Sequence, residues 1–316
     1  MIPKIIHYCW IGGAELPELE QRCLASWHKY MPGWEYKCWD EATLSQALSK
    51  KPIPSPCPKG KGEEPTSDKV LRTTIGSPIE QSSSPVKGRE IGWLDYMPAY
   101  VKQAYEVRKF AFVSDYVRLW ALEQYGGLYM DVDFEVFRPF DDLMDKYPAF
   151  AGYEGSKRKP VMQGVIASEP HGAWVRDMLS TYENRTFYKS PLTGNPSLVT
   201  PEYDLTPNTS YFTDRLEAQG FVADGEEKDF YVKSISNFKF QISNLEEPTF
   251  FLHIFPVHYF CPVLTTGEDV RTKETYCEHK GESSWNTHVS FKEKVMRLVG
   301  PKWKTRIIKL KRKILG

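Results

Sequence analysis

Apolar and polar positions along this chain change period several times, and each change marks an element. Lys4 to Trp10 is a short β-rich apolar run stopped by Gly12-Gly13, the pattern of a strand followed by a loop. Leu19 to Tyr30 has helical character and is closed by Pro32-Gly33, and Trp34 to Trp39 alternates as a second strand. Strand, helix, strand is the order of an α/β half. A further helix is expected to begin near Pro98. Val113, Tyr116, Val117 and Trp120 recur at helical spacing, and Gly126-Gly127 supplies the left-handed residue that commonly ends a helix. Leu128, Met130 and Val132 then alternate with Tyr129, Asp131 and Asp133, which is strand periodicity, and Phe134 to Pro139 continues that strand and leaves it. Ala149 to Tyr153 and Val161 to Ala167 are expected as further strands, and Ala173 to Tyr182 as a helix.

Two stretches break this alternation. Residues 51–90 are dominated by proline, serine, glycine and lysine and cannot bury enough surface to order themselves. They are expected to be a long flexible insertion in a domain spanning 1–290, either plainly disordered or a lid. From Phe291 onward the cations are Lys292, Lys294, Arg297, Lys302, Lys304, Arg306, Lys309, Lys311, Arg312 and Lys313, against the single acid Glu293. Trp303, Ile307, Ile308, Leu310, Ile314 and Leu315 are interleaved with them, so 291–316 is expected to be a basic amphipathic segment for an anionic membrane surface. A solvated basic tail, or a helix packed on the domain, is the plainer alternative.

Composition narrows the field. The 316 residues suit one large domain, or one domain with a subdomain. Lys plus Arg and Asp plus Glu are equal at 41 each, so the molecule has no general attraction for nucleic acid. The cysteines, Cys9, Cys23, Cys38, Cys57, Cys261 and Cys277, form no Cys-x-x-Cys pair, which suggests neither a zinc site nor a redox motif. No secretory signal and no membrane-spanning apolar stretch is visible, so reduced thiols in a cytoplasm are expected.

The chemistry concentrates between Phe112 and Phe134. Asp131 and Asp133, at i and i+2 on one side of a strand end, can share a hard cation such as Mg²⁺ or Mn²⁺, leaving positions open for phosphate oxygens. Asp115 and Arg118 lie at i, i+3 on one helix face. A solvated strand end and an ordinary surface ion pair are the bland alternatives. The sharper one is an enzyme that handles a diphosphate leaving group.

The run Ser114-Asp-Tyr-x-Arg118, followed by Tyr125-Gly-Gly-x-Tyr129-x-Asp131-x-Asp133, resembles the sugar-binding region of glycosyltransferase family 32. It also looks like the same region of the large clostridial glucosylating toxins. The resemblance implies an α/β fold of the GT-A type, with a Rossmann-like, mostly parallel sheet flanked by helices. It implies transfer of a sugar, with retention of configuration, from a UDP- or GDP-sugar to a saccharide acceptor, using Mn²⁺ or Mg²⁺.

By that resemblance Asp115 and Arg118 hold the donor sugar, and Ser114 and Tyr129 belong to the donor pocket. Asp133 meets the metal, while Asp131 reaches it through water or holds the ribose. His7 to Gly13 resembles the family's first strand, which gives Trp10 to the nucleotide base, with Tyr8 beside it. Gln163-Gly164 falls where such enzymes place an amide near the anomeric carbon, and Thr193-Gly-Asn-Pro196 resembles an acceptor-side stretch. His279 through Ser284-Trp285 resembles the family's closing motif, with Lys280 replacing its second histidine. His279 is the first choice for a third metal ligand, Ser283 the second, and Trp285 lines the cofactor site.

Family members build capsular and other surface polysaccharides. An unanchored chain therefore suggests a bacterial enzyme in the cytoplasm, peripheral on the inner face of the membrane, with a lipid-linked acceptor. A protein-modifying toxin-like transferase and a calcium-dependent glycan-binding module are the rivals, and no residue stands out as a covalent nucleophile.

Overall fold

The structure is a computed structural model and describes residues 1–49, 92–155, 160–189, 202–233 and 249–280. Its elements, in chain order, are β1 (Ile5–Cys9), α1 (Glu18–Tyr30), β2 (Glu35–Trp39) and α2 (Glu41–Ser49). After a 3₁₀ turn at Trp93–Tyr96 come α3 (Ala99–Glu106), α4 (Phe110–Tyr125), β3 (Gly127–Met130), β4 (Phe134–Val136) and α5 (Asp141–Lys146). They are followed by β5 (Ala149–Gly152), β6 (Val165–Ser168), α6 (Ala173–Ser180), α7 (Asn208–Glu217) and β7 (Lys228–Lys233). The last are β8 (Thr249–Phe255), α8 (Val257–Phe260) and β9 (Cys277–His279).

A 7-stranded sheet in the order β2-β1-β3-β6-β5-β8-β7 forms the centre, and β4 and β9 make a separate 2-stranded sheet. β2, β1, β3, β5 and β8 run in one direction, while β6 and β7 run against them. The α/β, Rossmann-like, mostly parallel sheet expected from the chain is present. Apolar clusters cover both faces. One packs α2, α3, α4, α6 and α7 on one side, and the other packs α1, α5, α8 and the small sheet on the opposite side. Alternation along β3 feeds both, since Tyr129 enters the first cluster while Leu128 and Met130 enter the second.

Local chemistry explains the element ends nearest the site. α1 carries Glu18 and Glu20 in its first turn and His28 and Lys29 in its last, the order its dipole favours. Its Trp27 is fully buried and donates from Nε1 to the Phe134 carbonyl at 2.7 Å, which fastens α1 to β4. Gly126 ends α4 at φ 63° and Gly127 follows at φ 111°, so the chain reverses from helix to strand through backbone that side chains rarely adopt. A Cβ on Gly126 would come within 2.6 Å of the Pro170 nitrogen, and one on Gly127 within 2.6 Å of the Ile5 carbonyl oxygen.

One strand prediction is corrected. Asp131 and Asp133 do not extend β3, and Phe134 to Pro139 does not continue it. Met130 is the last residue of the strand, the Asp131 N–H bonds to the Gly164 carbonyl at 2.8 Å, and the Phe134 N–H closes a turn on the Asp131 carbonyl at 3.2 Å. The chain then leaves the main sheet, because β4 pairs antiparallel with β9, Phe134 opposite His279. The expected strand at Val161 to Ala167 likewise begins only at Val165; Val161 makes an isolated bridge to Tyr153.

The insertion expected at 51–90 and the basic segment at 291–316 lie outside the described residues. Among the described residues no helix is long and apolar enough to cross a membrane, and Cys9, Cys23, Cys38, Cys261 and Cys277 are free.

Gly127→Ala should lower the unfolding free energy by at least about 2 kcal/mol, because left-handed strain adds to a collision with fixed backbone. Gly13→Ala, at φ 69° with open space around it, should lose only about 1 kcal/mol. Urea unfolding of both variants checks the ranking, and equal losses would show that the close approach at Gly127 carries no energy.

Candidate active site

β1 and β3 are neighbouring parallel strands, so the segments after them, Trp10–Gly13 and Asp131–Asp133, emerge at the same edge of the sheet. β6 runs the other way, which brings the residues before it, Gln163 and Gly164, to that edge. β5 ends there as well and leads to Glu154. Carboxyl ends of parallel strands are where open α/β sheets bind ligands.

Arg118 occupies the middle. Its Nη2 lies 2.9 Å from Asp115 Oδ1, and its Nη1 donates to the Gln163 carbonyl at 2.7 Å and to Asp131 Oδ2 at 3.4 Å. Its Nε donates to the Ser114 carbonyl at 3.2 Å and its Nη2 to Ser114 Oγ at 3.4 Å. The guanidinium carbon lies 4.7 Å from the centre of the Tyr129 ring. The side chain is only 6% exposed, so α4, β3 and the β6 approach are joined by one nearly dry cation. Burial alone would lower its pKa, but the neighbouring carboxylates, Asp131 first and then Asp115, push it up.

The acids differ in what they meet. Asp115 is raised to about 6, chiefly by burial, with Arg118 pulling it down and Asp131 pushing it up. Asp131 is also raised by desolvation and by Asp133, against Arg118 and a 2.7 Å hydrogen bond from the Tyr129 hydroxyl. Asp133 turns to the small sheet, where His279 Nε2 stands 2.9 Å from its Oδ2. The His279 ring stacks on Phe134 at 4.7 Å, and its side chain is 42% exposed. Desolvation lowers that imidazole, but the hydrogen bond and charge of Asp133, with Asp131 and Glu154, lift it to about 9. Gly164 makes room for the turn, since a Cβ there would lie 2.7 Å from the Phe134 ring and 3.0 Å from Asp131 Oδ2.

Asp115, Arg118, Ser114, Tyr129, Asp131, Asp133 and His279 are therefore brought together, as the sequence suggested. Gln163 joins them through its main chain, while its side chain is buried at 1% exposure, with Oε1 accepting from Asn208 Nδ2 at 3.4 Å. Trp10 is half-buried on its loop, with Nε1 donating to the Ala14 carbonyl at 2.6 Å. That loop is pinned where Gly12 N–H donates to Glu41, which also accepts from the Tyr105 hydroxyl. Tyr8 points to the α1 side and packs edge-on against Trp27, away from Arg118. Ser283, Trp285 and Thr193-Gly-Asn-Pro196 lie outside the described residues.

Among the described residues, no three His, Cys, Asp or Glu side chains are gathered so as to hold a metal ion. The donor set still suits a hard cation, because Mg²⁺-type ions are commonly held by one or two carboxylates together with substrate phosphates and water. Sequence reasoning missed Glu154 and Asn208. Neither sits in a recognisable motif, and only the hairpin after β5 and the start of α7 carry them here.

Residues 17–150 match a family described as the glycosyltransferase sugar-binding region containing a DXD motif. Over that span, less than half of its length, the chain is similar to the sugar-binding region of glycosyltransferases. Asp131-Val-Asp133 is its DXD, and Asp115, Arg118 and Tyr129 fall within the matched span. Glucan organizing enzyme 1 of Cryptococcus neoformans var. grubii is 34% identical over 85 residues, covering 24% of this chain. The match spans only 23% of that fungal protein. Among solved structures, the PaToxG glycosyltransferase is similar over 69% of each chain, at 17% identity and a TM-score of 0.39.

A carboxyl whose folded pKa exceeds its unfolded value favours the folded state when protonated, so Asp115 contributes less stability as pH rises from about 4 through 6. Arg118→Met should then lower the unfolding free energy by about 3–5 kcal/mol at pH 7.5, by stranding two carboxylates. The loss should be smaller at pH 5, where Asp115 takes up a proton. Urea unfolding at both pH values tests this, and an equal loss at both would mean that Asp115 does not depend on the guanidinium.

Proposed function

We propose that this transferase moves a sugar from a nucleotide diphosphate donor to a saccharide hydroxyl, using a divalent metal bound by Asp131 and Asp133. One observation carries the metal: among the described residues the site sets Asp115, Asp131, Asp133 and Glu154 against Arg118 and His279, while Arg185, which also acts on Asp115, is paired with Asp204. A diphosphate would be repelled by so many carboxylates unless a cation came with it. When bound, the ion supplies Lewis-acid stabilisation of the departing diphosphate.

The protein's own groups do the rest. Asp115 accepts from donor-sugar hydroxyls and Arg118 donates to sugar or phosphate oxygens, both already fixed by their mutual contact. Trp10 offers a ring for the nucleobase. His279, as a neutral imidazole, would be a further ligand for the metal, or it would serve as the hydrogen-bond partner that aims Asp133. Retention of configuration, Mn²⁺ as the preferred ion and a UDP- or GDP-sugar donor follow from the family resemblance. A capsular or other surface polysaccharide, assembled on a lipid carrier at the inner face of a bacterial membrane, is the acceptor setting we favour. The fungal relative's name refers to a glucan, which supports a saccharide acceptor without selecting a capsule.

Incubation with a panel of UDP- and GDP-sugars, with and without Mn²⁺, should release nucleotide diphosphate with one donor and stop in excess chelator. A glycan-binding module would release none. Asp133→Asn should reduce turnover by roughly 10²-fold or more, and Arg118→Lys should also be damaging because the forked donor geometry is lost. Full activity in chelator, or in Asp133→Asn, would remove the metal from this mechanism.

For the membrane setting, the full-length chain should sediment with anionic vesicles at low salt and a chain ending at Ser290 should not. Each basic residue near such a surface contributes on the order of 1 kcal/mol, and added salt should release the protein. Equal binding by the two chains would take the membrane from the proposal and leave the transferase.

A further inference from the structure

Nearly every charged group of the site meets an opposite. Arg118 pairs with Asp115 and Asp131, Tyr129 donates to the other Asp131 oxygen, and His279 faces Asp133. Glu154 differs. Its electrostatic neighbours are His279, Asp131 and Arg118, yet its carboxylate makes no hydrogen bond or ion pair among the described residues.

The backbone leaves this side chain little choice of direction. The Glu154 N–H donates to the Pro160 carbonyl at 2.8 Å, and the preceding Tyr153 bridges Val161. The Gly155 carbonyl accepts from Thr265 N–H at 2.9 Å and from Thr265 Oγ1 at 3.0 Å. Gly155 itself is wedged, since a Cβ there would lie 2.9 Å from Leu264 Cα. Tyr153 is buried in the cluster under α4, so Glu154, the next residue of an extended segment, faces the opposite side, where Phe134 and His279 lie. Burial raises its carboxyl pKa; His279 and Arg118 offset this in part and Asp131 adds to it. A donor is also left over nearby: Gln163 Nε2 is buried and has no partner among the described residues.

The chemistry of the missing partner can be narrowed. A phosphate would be repelled by a carboxylate, and the cations of the site are already engaged. A hydroxyl donates to a carboxylate and needs no counter-charge. We propose that Glu154 is a sugar-binding residue of this transferase, its carboxylate accepting hydrogen bonds from hydroxyls of the donor sugar or of the acceptor beside Asp131. The inference rests on the transferase reading and adds a residue to it.

Glu154→Gln keeps shape and removes charge, and Glu154→Ala removes the acceptor altogether. Donor hydrolysis without acceptor and full transfer are measured on both variants, alongside affinity for the bare nucleotide diphosphate with Mn²⁺. The expected result is a rise in one KM of roughly 10–100-fold, the worth of a hydrogen bond to a charged group, with bare nucleotide affinity unchanged. A raised donor KM in hydrolysis assigns the hydroxyl to the donor sugar, and a raised acceptor KM alone assigns it to the acceptor. Wild-type constants in both variants overturn the proposal, as does a parallel fall in nucleotide affinity, which would place Glu154 on the metal or the diphosphate. If the unaltered chain releases no nucleotide from any donor, the transferase reading itself fails, an outcome separate from any change in the variants.

Discussion

The site is organised around a buried guanidinium. Arg118 comes from the middle of α4, Asp131 from the end of β3, and the Gln163 carbonyl from the approach to β6. An unpaired cation at that depth would cost several kcal/mol, so it persists only because those partners are held in place. The dependence runs the other way too, since Asp115 and Asp131 are both desolvated and both lean on Arg118. This shared constraint ties helix, turn and strand together, because the hydrogen bonds that compensate the buried charge weaken as their geometry departs from short, aligned contacts.

From that centre the two aspartates of the DXD part company. Asp131 keeps the facing of Tyr129 and stays with the helix layer, whereas Asp133 follows the turn to the small sheet and meets His279. The DXD segment thus joins two structural units, and the turn between them is where the chain leaves one sheet for another. Gly164, on which no Cβ fits, and Trp27, which holds the Phe134 carbonyl, keep that junction closed. Asp131 and Asp133 are close enough to repel one another, a cost in stability of the kind that functional sites carry.

Much of this was legible in the linear pattern. The first strand, the helix after it, the long helix with its glycine stop, and β5 follow from apolar spacing and turn residues, which act locally. The pairing of Asp115 with Arg118 could be read because a helix fixes i, i+3 neighbours regardless of context. Gln163 was legible as a position, but its main-chain contact was not. Its main-chain carbonyl, rather than its amide, meets Arg118, and nothing in the residue type signals that.

The sequence by itself determined the α/β character, the helix–glycine–strand unit and which residues carry charge at its two ends, because short-range periodicity and glycine conformation set these. Tertiary structure alone decided that β6 runs against its neighbours, that Phe134–Val136 deserts the main sheet for β9, and that Glu154 comes within electrostatic reach of His279 and Asp131. These are pairings across long chain separations. Their outcome depends on which backbone donors and charges remain unsatisfied once the local elements have formed, and no window of neighbouring residues contains that information.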